Sequence, residues 1–345
     1  MHKLKGLATG IGSLPYGEAE SALGLIFKYT PEIPFWPQLP KRSLKEGMVA
    51  QFSENIPCLK LGAEGVFFDS RRMDDELEEF YGRVVSVDLD YFKISPDYAP
   101  GVYKFYDMLA SGFGISEAQA LKLQVTGPFT FAAAVNDEDK VPILHNKVML
   151  QAVSKALSMK ALWQAGMFKA LGKPLVMFID EPYLGSFGSA YTALDRQDVV
   201  LGLREFSTGL KPVYDLLGVH CCGNTDWSIF TELEDIDIIS FDAFDYLEKF
   251  LLYAKDIKSF LERKGFICWG IVPTQSFTGN DNLSLLTDKL YLGIEALVKK
   301  GVSESLLRER LLISPSCGLG TFTVEEAEKV FRMLAKVSDF IRKNF

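Results

Sequence analysis

Pro174-Leu175-Val176-Met177-Phe178-Ile179-Asp180 is an apolar run that stops on a carboxylate, with Glu181-Pro182 directly after it. An unbroken apolar stretch of strand length, bounded by proline, reads as a parallel strand buried on both faces. Further strand candidates, most of them nearly continuous apolar runs, are Leu7–Leu14, Gly65–Asp69, Leu121–Thr126, Gly218–Cys222, Asp237–Asp242, Phe266–Val272 and Leu311–Pro315. Amphipathic stretches lie between them, among them Asn146–Leu171, Tyr246–Lys264, Asn282–Lys300 and Thr323–Lys343. The last opens on Thr323 with Glu326 three residues on, the spacing of a capping box. Strand and helix alternate in the number that closes a (β/α)8 barrel. An open doubly wound sheet is the alternative. Thr9-Gly10-Ile11-Gly12-Ser13 offers it Gly-x-Gly without the third glycine of a dinucleotide loop.

The 345 residues suit one α/β TIM barrel spanning 1–345, because such barrels run from ~200 to 400 residues as one domain. Tyr29–Pro57 carries Pro31, Pro34, Pro37 and Pro40 beside Phe35 and Trp36. It reads as an extended loop after strand 1, at least as far as Pro40, and as a wall of the barrel mouth.

Composition narrows function. The chain is 48% hydrophobic and 24% charged with a net charge of -8, and has no basic block. Nucleic-acid and anionic-membrane partners need clustered Lys and Arg, so neither is expected. Met1-His2-Lys3-Leu4-Lys5-Gly6 lacks a signal-peptide apolar stretch, and the expected location is cytoplasmic. Cys58, Cys221, Cys222, Cys268 and Cys317 make an odd, low count, which argues against a disulfide framework.

The chemistry gathers at strand ends. Side chains two apart on a strand share a face, so His220 and Cys222 point together and Cys221 points away. Imidazole plus thiolate is half a site for a soft divalent metal. Strands 6 and 8 end at Asp242 and at Ser316-Cys317-Gly318, on the same mouth of a barrel. His220, Cys222 and Cys317, with Asp242 as an oxygen ligand, would close a tetrahedral zinc site. Each residue alone has a plainer role as core cysteine or satisfied histidine, and it is their joint placement that favours a metal. Ser13, Asp180, Glu181, Thr126 and Thr130 fall at the same mouth. Asp69, with Arg71 and Arg72, reads as a helix cap.

With these residues in view, the chain resembles the catalytic barrel of cobalamin-independent methionine synthase, in the uroporphyrinogen decarboxylase-like superfamily. Ile11-Gly12-Ser13-Leu14-Pro15, Thr126-Gly127-Pro128-Phe129-Thr130, Asp180-Glu181-Pro182, His220-Cys221-Cys222, Ser240-Phe241-Asp242 and Pro315-Ser316-Cys317-Gly318-Leu319 match that family's motifs in order. His220-Cys221-Cys222-Gly223-Asn224-Thr225 also resembles zinc methyltransferases that act between corrinoid and coenzyme M. The resemblance implies a zinc-dependent methyltransferase that passes a methyl group to a thiol, homocysteine foremost, to give methionine. His220, Cys222, Cys317 and Asp180 would be catalytic. Ile11, Gly12, Ser13, Asp180 and Glu181 would bind substrate, Ser13 taking its carboxylate and Asp180 its ammonium. The family's glutamate ligand is here Asp242. Its histidine after strand 7 is absent from Trp269-Gly270-Ile271-Val272-Pro273-Thr274, which favours a methylcorrinoid, free or on a corrinoid protein, over methyltetrahydrofolate as donor. The competing readings are alkyl transfer to coenzyme M, a metal-free decarboxylase, a zinc staple and an inactive corrinoid-binding scaffold.

Overall fold

The computed structural model describes residues 4–189, 194–275 and 282–345. His2 and the first residues of the N-terminal segment lie outside them. In chain order the helices are α1 (Ala19–Tyr29), α2 (Met73–Val85), α3 (Pro100–Ala110), α4 (Pro128–Ala134), α5 (Lys147–Phe168), α6 (Arg196–Leu210), α7 (Trp227–Thr231), α8 (Leu247–Phe250), α9 (Ala254–Glu262), α10 (Leu283–Lys299), α11 (Glu304–Glu309) and α12 (Val324–Asn344). The strands are β1 (Leu59–Gly62), β2 (Gly65–Phe68), β3 (Leu121–Thr126), β4 (Leu175–Asp180), β5 (Leu216–Cys221), β6 (Ile238–Phe241), β7 (Phe266–Val272) and β8 (Leu311–Pro315). β3 to β8 form a parallel sheet in sequence order.

Two irregular segments close this sheet into a TIM barrel. Residues 7–14 lie against β8, where the Thr9 amide donates to the Ile313 carbonyl (3.0 Å) and the Ile313 amide to the Leu7 carbonyl (2.9 Å). Residues 33–38 lie between that segment and β3. The Gln38 amide donates to the Gly12 carbonyl (3.1 Å), and the Lys122 amide to the Pro34 carbonyl (2.9 Å). The second stave is therefore the proline-rich stretch expected to be loop. Pro34 and Pro37 have no N–H to give a ladder, so the stave holds by few bonds and carries little strand pattern. Gly65–Asp69, expected as the second barrel strand, instead forms an antiparallel hairpin, β1 with β2, off the barrel. The long insertion accordingly follows the second stave, not the first.

Alternation along the barrel strands sorts two cores. Met177, Ile179, Leu217, Val219, Ile239, Ile267 and Ile313 face the helices. Val176, Phe178, Leu216, Ile238, Phe266, Cys268 and Leu312 join Leu4, Leu7 and Ile33 in a separate apolar plug inside the barrel. Towards the strand C-termini the inward positions turn polar: Gln124, Asp180, His220, Ser240 and Ser314, all buried. A layered interior with its polar end at the C-terminal mouth is the usual seat of barrel chemistry.

Helix ends follow their capping residues. Asn146 accepts from the amides of Val148 and Met149 (3.2 Å each) at the start of α5. Thr323 and Glu326 form the expected capping box on α12. All five cysteines are free thiols. Among the described residues no helix is long and apolar enough to cross a membrane.

Candidate metal centre

A cavity of about 560 Å³ opens at the C-terminal mouth, and Ser13, Gln38, Glu46, Asp180, His220, Cys222 and Cys317 line it. Its two walls differ in origin. One comes from the ends of β4, β5 and β8. The other comes from the first two staves and the insertion, through Gln38, Pro40, Lys41, Glu46 and Met48. The stretch expected to wall the mouth does so.

Ligand atoms of His220, Cys222 and Cys317 all lie within 4.8 Å of one another. His220 is the next-to-last residue of β5 and is 2% exposed. Its Nδ1 is 3.0 Å from the Ser240 hydroxyl, while its Nε2 is buried without a partner. A bare, buried imidazole nitrogen beside two sulfurs is costly unless something accepts its lone pair. The Cys222 and Cys317 sulfurs lie side by side. The Cys222 thiol is pushed up and the Cys317 thiol held down, each chiefly by the other, with His220 also holding Cys317 down. Cys221 points away into the outer core, where burial pushes its thiol up to about 12. Donor type, spacing and the orphaned nitrogen fit a soft divalent metal such as zinc.

Asp242 does not join this group. Its Oδ1 accepts from the amides of Phe244 and Asp245 (2.9 Å each), so it shapes the turn after β6. Its Oδ2 is buried and unpartnered, and burial pushes the carboxyl up to about 6. The aspartate is a methylene shorter than a glutamate, and one of its two oxygens is committed to the backbone. Of the four expected ligands, the structure brings three together, His220, Cys222 and Cys317.

Asp180 ends β4 in the cavity wall with Oδ1 unpartnered. Burial pushes it up to about 6, against the pull of Lys122 and His220. Glu181, expected at the substrate, is fully buried behind the wall. Its carboxylate accepts from the Phe129 amide (3.0 Å), the Thr130 amide (2.8 Å) and the Thr130 hydroxyl (2.6 Å), bracing the start of α4. Burial pushes it up to about 7. Ser13 reaches the rim, where its Oγ accepts from the Gly320 amide (3.3 Å). The Ile11 carbonyl accepts from Lys122 Nζ (2.6 Å) and so faces the interior. Gly12 is buried between these two, a backbone element of the first stave. Asp69, off the barrel, accepts from the Arg71 amide (3.3 Å) as a cap.

Two residues of the cavity region were not among the expected site residues. Glu46 is 1% exposed, accepts from the Leu39 amide (3.0 Å) and pairs with Arg42. Lys122 is fully buried inside the barrel, and burial pushes its ammonium down to about 8. The alternation of Lys122, Gln124 and Thr126 on β3 was the available signal for the second of these.

No family model matches the chain, and no curated protein matches it. Among solved structures it is similar to the GH113 β-mannanase AaManA from Alicyclobacillus acidocaldarius in complex with ManMIm, at 12% identity over 70% of this chain and 79% of that one, with a TM-score of 0.37. A GH113 β-1,4-mannanase complex follows at 8% identity, 71% and 93% coverage and a TM-score of 0.32. A GH138 enzyme targeting pectin rhamnogalacturonan II follows at 12% identity, 72% and 36% coverage and a TM-score of 0.27.

These findings correct the family expected from the motifs. The similar structures are glycoside hydrolases, and no family model joins the chain to the methionine synthases. Membership of that family, methyl transfer to homocysteine or another thiol, a corrinoid or folate donor, and the coenzyme M and decarboxylase alternatives are withdrawn. At these identities and TM-scores no activity of the similar proteins passes to this chain either. Two glycines of those motifs have a local packing role. A Cβ at Gly127 would lie 2.2 Å from the Glu181 carboxyl, and one at Gly318 would lie 2.2 Å from Ser13 Oγ. Close packing at a barrel mouth demands those glycines whatever the reaction. Ser13 and Asp180 keep their places in the cavity without the roles the resemblance implied.

Proposed function

We propose that this barrel is a zinc-dependent enzyme whose metal is held by His220 Nε2 and the Cys222 and Cys317 sulfurs, with a further coordination position turned to the cavity. The observation that carries this reading is the buried, unpartnered Nε2 of His220 within 4.8 Å of both thiols, on the wall of a cavity of about 560 Å³. Two thiolates and a neutral imidazole balance a divalent charge, so the loaded centre is close to neutral. Three protein ligands and an open position distinguish catalytic zinc sites from closed structural ones. When bound, zinc in such a setting supplies Lewis acidity to a donor atom of the molecule in the cavity.

The chain's own residues do the rest. The volume is that of a small-molecule site. Asp180 offers a buried acceptor on the β4 side, and Ser13 and Glu46 face it from the loop side. The apolar plug below the site keeps water from entering through the barrel floor.

Elemental analysis of the purified protein tests the reading. We expect zinc near one equivalent in the wild type and a large loss in His220→Ala and in Cys317→Ala. Absence of metal after zinc loading, or full retention in both variants, would overturn it. Circular dichroism separates a catalytic centre from a staple: a barrel with cores of this extent should keep its fold when the metal is stripped.

A further inference from the structure

Of the five free thiols, two line the cavity at the barrel mouth. Cys58, Cys221 and Cys268 are at most 1% exposed. Cys221 lies in the core outside the sheet, and Cys268 in the apolar plug inside it. Cys222 and Cys317 are only partly buried, and both face the space of about 560 Å³. Their sulfurs are within 4.8 Å of each other. A small solute entering the mouth therefore meets these two thiols together and the other three not at all.

Neighbouring thiols within reach of a peroxide are oxidised in two steps. One sulfur, as thiolate, attacks an oxygen of the peroxide. An S–O bond forms, the O–O bond breaks, and the other oxygen leaves as water with the proton that the first thiol gave up. Two electrons have passed from sulfur to peroxide, and the sulfur is now a sulfenic acid. The second sulfur attacks it: the S–S bond forms, the S–O bond breaks, and water leaves with the second thiol's proton. Two thiols and one hydrogen peroxide give one disulfide and two waters.

We propose that Cys222 and Cys317 are an oxidative modification site, closing to a reversible disulfide when a small peroxide enters the cavity. Disulfide sulfurs are about 2.05 Å apart, a gap that rotation of two short side chains closes, each cysteine sitting just past the last residue of its strand. A metal takes thiolate sulfur. The disulfide thus removes two of the three donors, and the centre does not load until it is reduced. That consequence rests on the metal reading, whereas the disulfide itself is a property of the metal-free chain.

The two parts are tested separately. In chelator-stripped protein, a short pulse of hydrogen peroxide should remove two of the five titratable thiols, and peptide mapping should find Cys222 joined to Cys317. The oxidised protein should take up no zinc, and dithiothreitol should restore both the thiols and the uptake. Cys221→Ser should still form the link. In Cys222→Ser the remaining sulfur has no partner, so Cys317 should be trapped as its sulfenic acid by dimedone. Zinc loaded before the pulse should slow the loss of thiols. Survival of all the thiols, linkage of a different pair, or separate oxidation of Cys222 and Cys317 without a link overturns the proposal. Thiol loss indifferent to bound zinc overturns the coupling to the metal. A wild type that forms the link but binds no zinc when reduced overturns the metal reading and upholds the modification site, and one that binds zinc and never links does the reverse.

Discussion

Lys122 on β3 donates its buried ammonium to the Ile11 carbonyl at 2.6 Å, joining the regular sheet to the first, irregular stave. The same Nζ is 3.3 Å from Gln124 Oε1 and lies over the Phe178 ring. The hydrogen bond is made where the backbone ladder is thin, and burial lowers the Lys122 pKa from 10.5 to about 8.

That depression has a definite sign. Between pH 8 and 10.5 the unfolded chain holds a proton on this lysine that the folded chain has released. Stability contributed by the site therefore rises across that window. Measured by denaturant titration, the wild type should gain on Lys122→Met by ~3 kcal/mol from pH 8 to 10.5. A difference that stays flat across this range would contradict it. Amide exchange in residues 7–14 should quicken in the variant.

Glu181 gives the opposite slope. Burial raises its pKa from 4.5 to about 7, so the folded chain keeps a proton the unfolded one has lost. Its contribution to stability is fully present below pH 4.5 and lost as pH rises to 7, by ~3 kcal/mol. Glu181→Gln keeps an oxygen for the Thr130 amide and carries no charge. Its stability curve should lack this decline, and a variant as steep as the wild type would count against the assignment.

Metal loading should be visible in folding equilibria. A ligand that binds only the folded chain stabilises it by ~2.7 kcal/mol at a hundred times its dissociation constant. Zinc should therefore raise the denaturation midpoint of the wild type, a chelator should reverse the gain, and Cys222→Ser should show little of it. A wild-type midpoint indifferent to both reagents would remove the centre.

Asp242 separates turn former from ligand. Asp242→Asn retains the acceptor for the Phe244 and Asp245 amides, so zinc affinity should stay at the wild-type value. Asp242→Ala leaves those amides unpaired and should cost ~1 kcal/mol in a chemical denaturation series. A marked loss of zinc affinity in Asp242→Asn would restore the aspartate to the ligand set.

Much of the barrel was legible because β3 to β8 are built the simple way. Apolar runs such as Pro174–Asp180 and Leu311–Pro315 sit where their pattern places them, and polar residues mark their C-terminal ends. The grouping of His220, Cys222 and Cys317 was legible for the same reason, since strand ends of one barrel meet at one mouth. What escaped was held by side chains instead of periodicity. The stave at 33–38 is stitched by Gln124 Nε2 to the Trp36 carbonyl (2.8 Å) and by Trp36 Nε1 to Gln164 (3.0 Å), contacts far apart in sequence. Glu181 looked like a site residue because its neighbour Asp180 is one; adjacent strand residues face opposite ways, and the pleat sent it into the wall. The family suggested by the motifs did not survive comparison.

The uneven stitching of the barrel divides the cavity into a fixed half and an adjustable half. His220, Cys222 and Cys317 hang from a continuous ladder that tolerates little displacement. Ser13 and Gln38 hang from staves fastened at a few points, by scattered backbone bonds and by replaceable side chains such as Gln124. Substitutions in Gln38 or Gln124 can therefore reshape what the mouth admits while the donor atoms stay in place. In such a molecule new substrates would be acquired along the seam, and the chemistry inherited along the sheet.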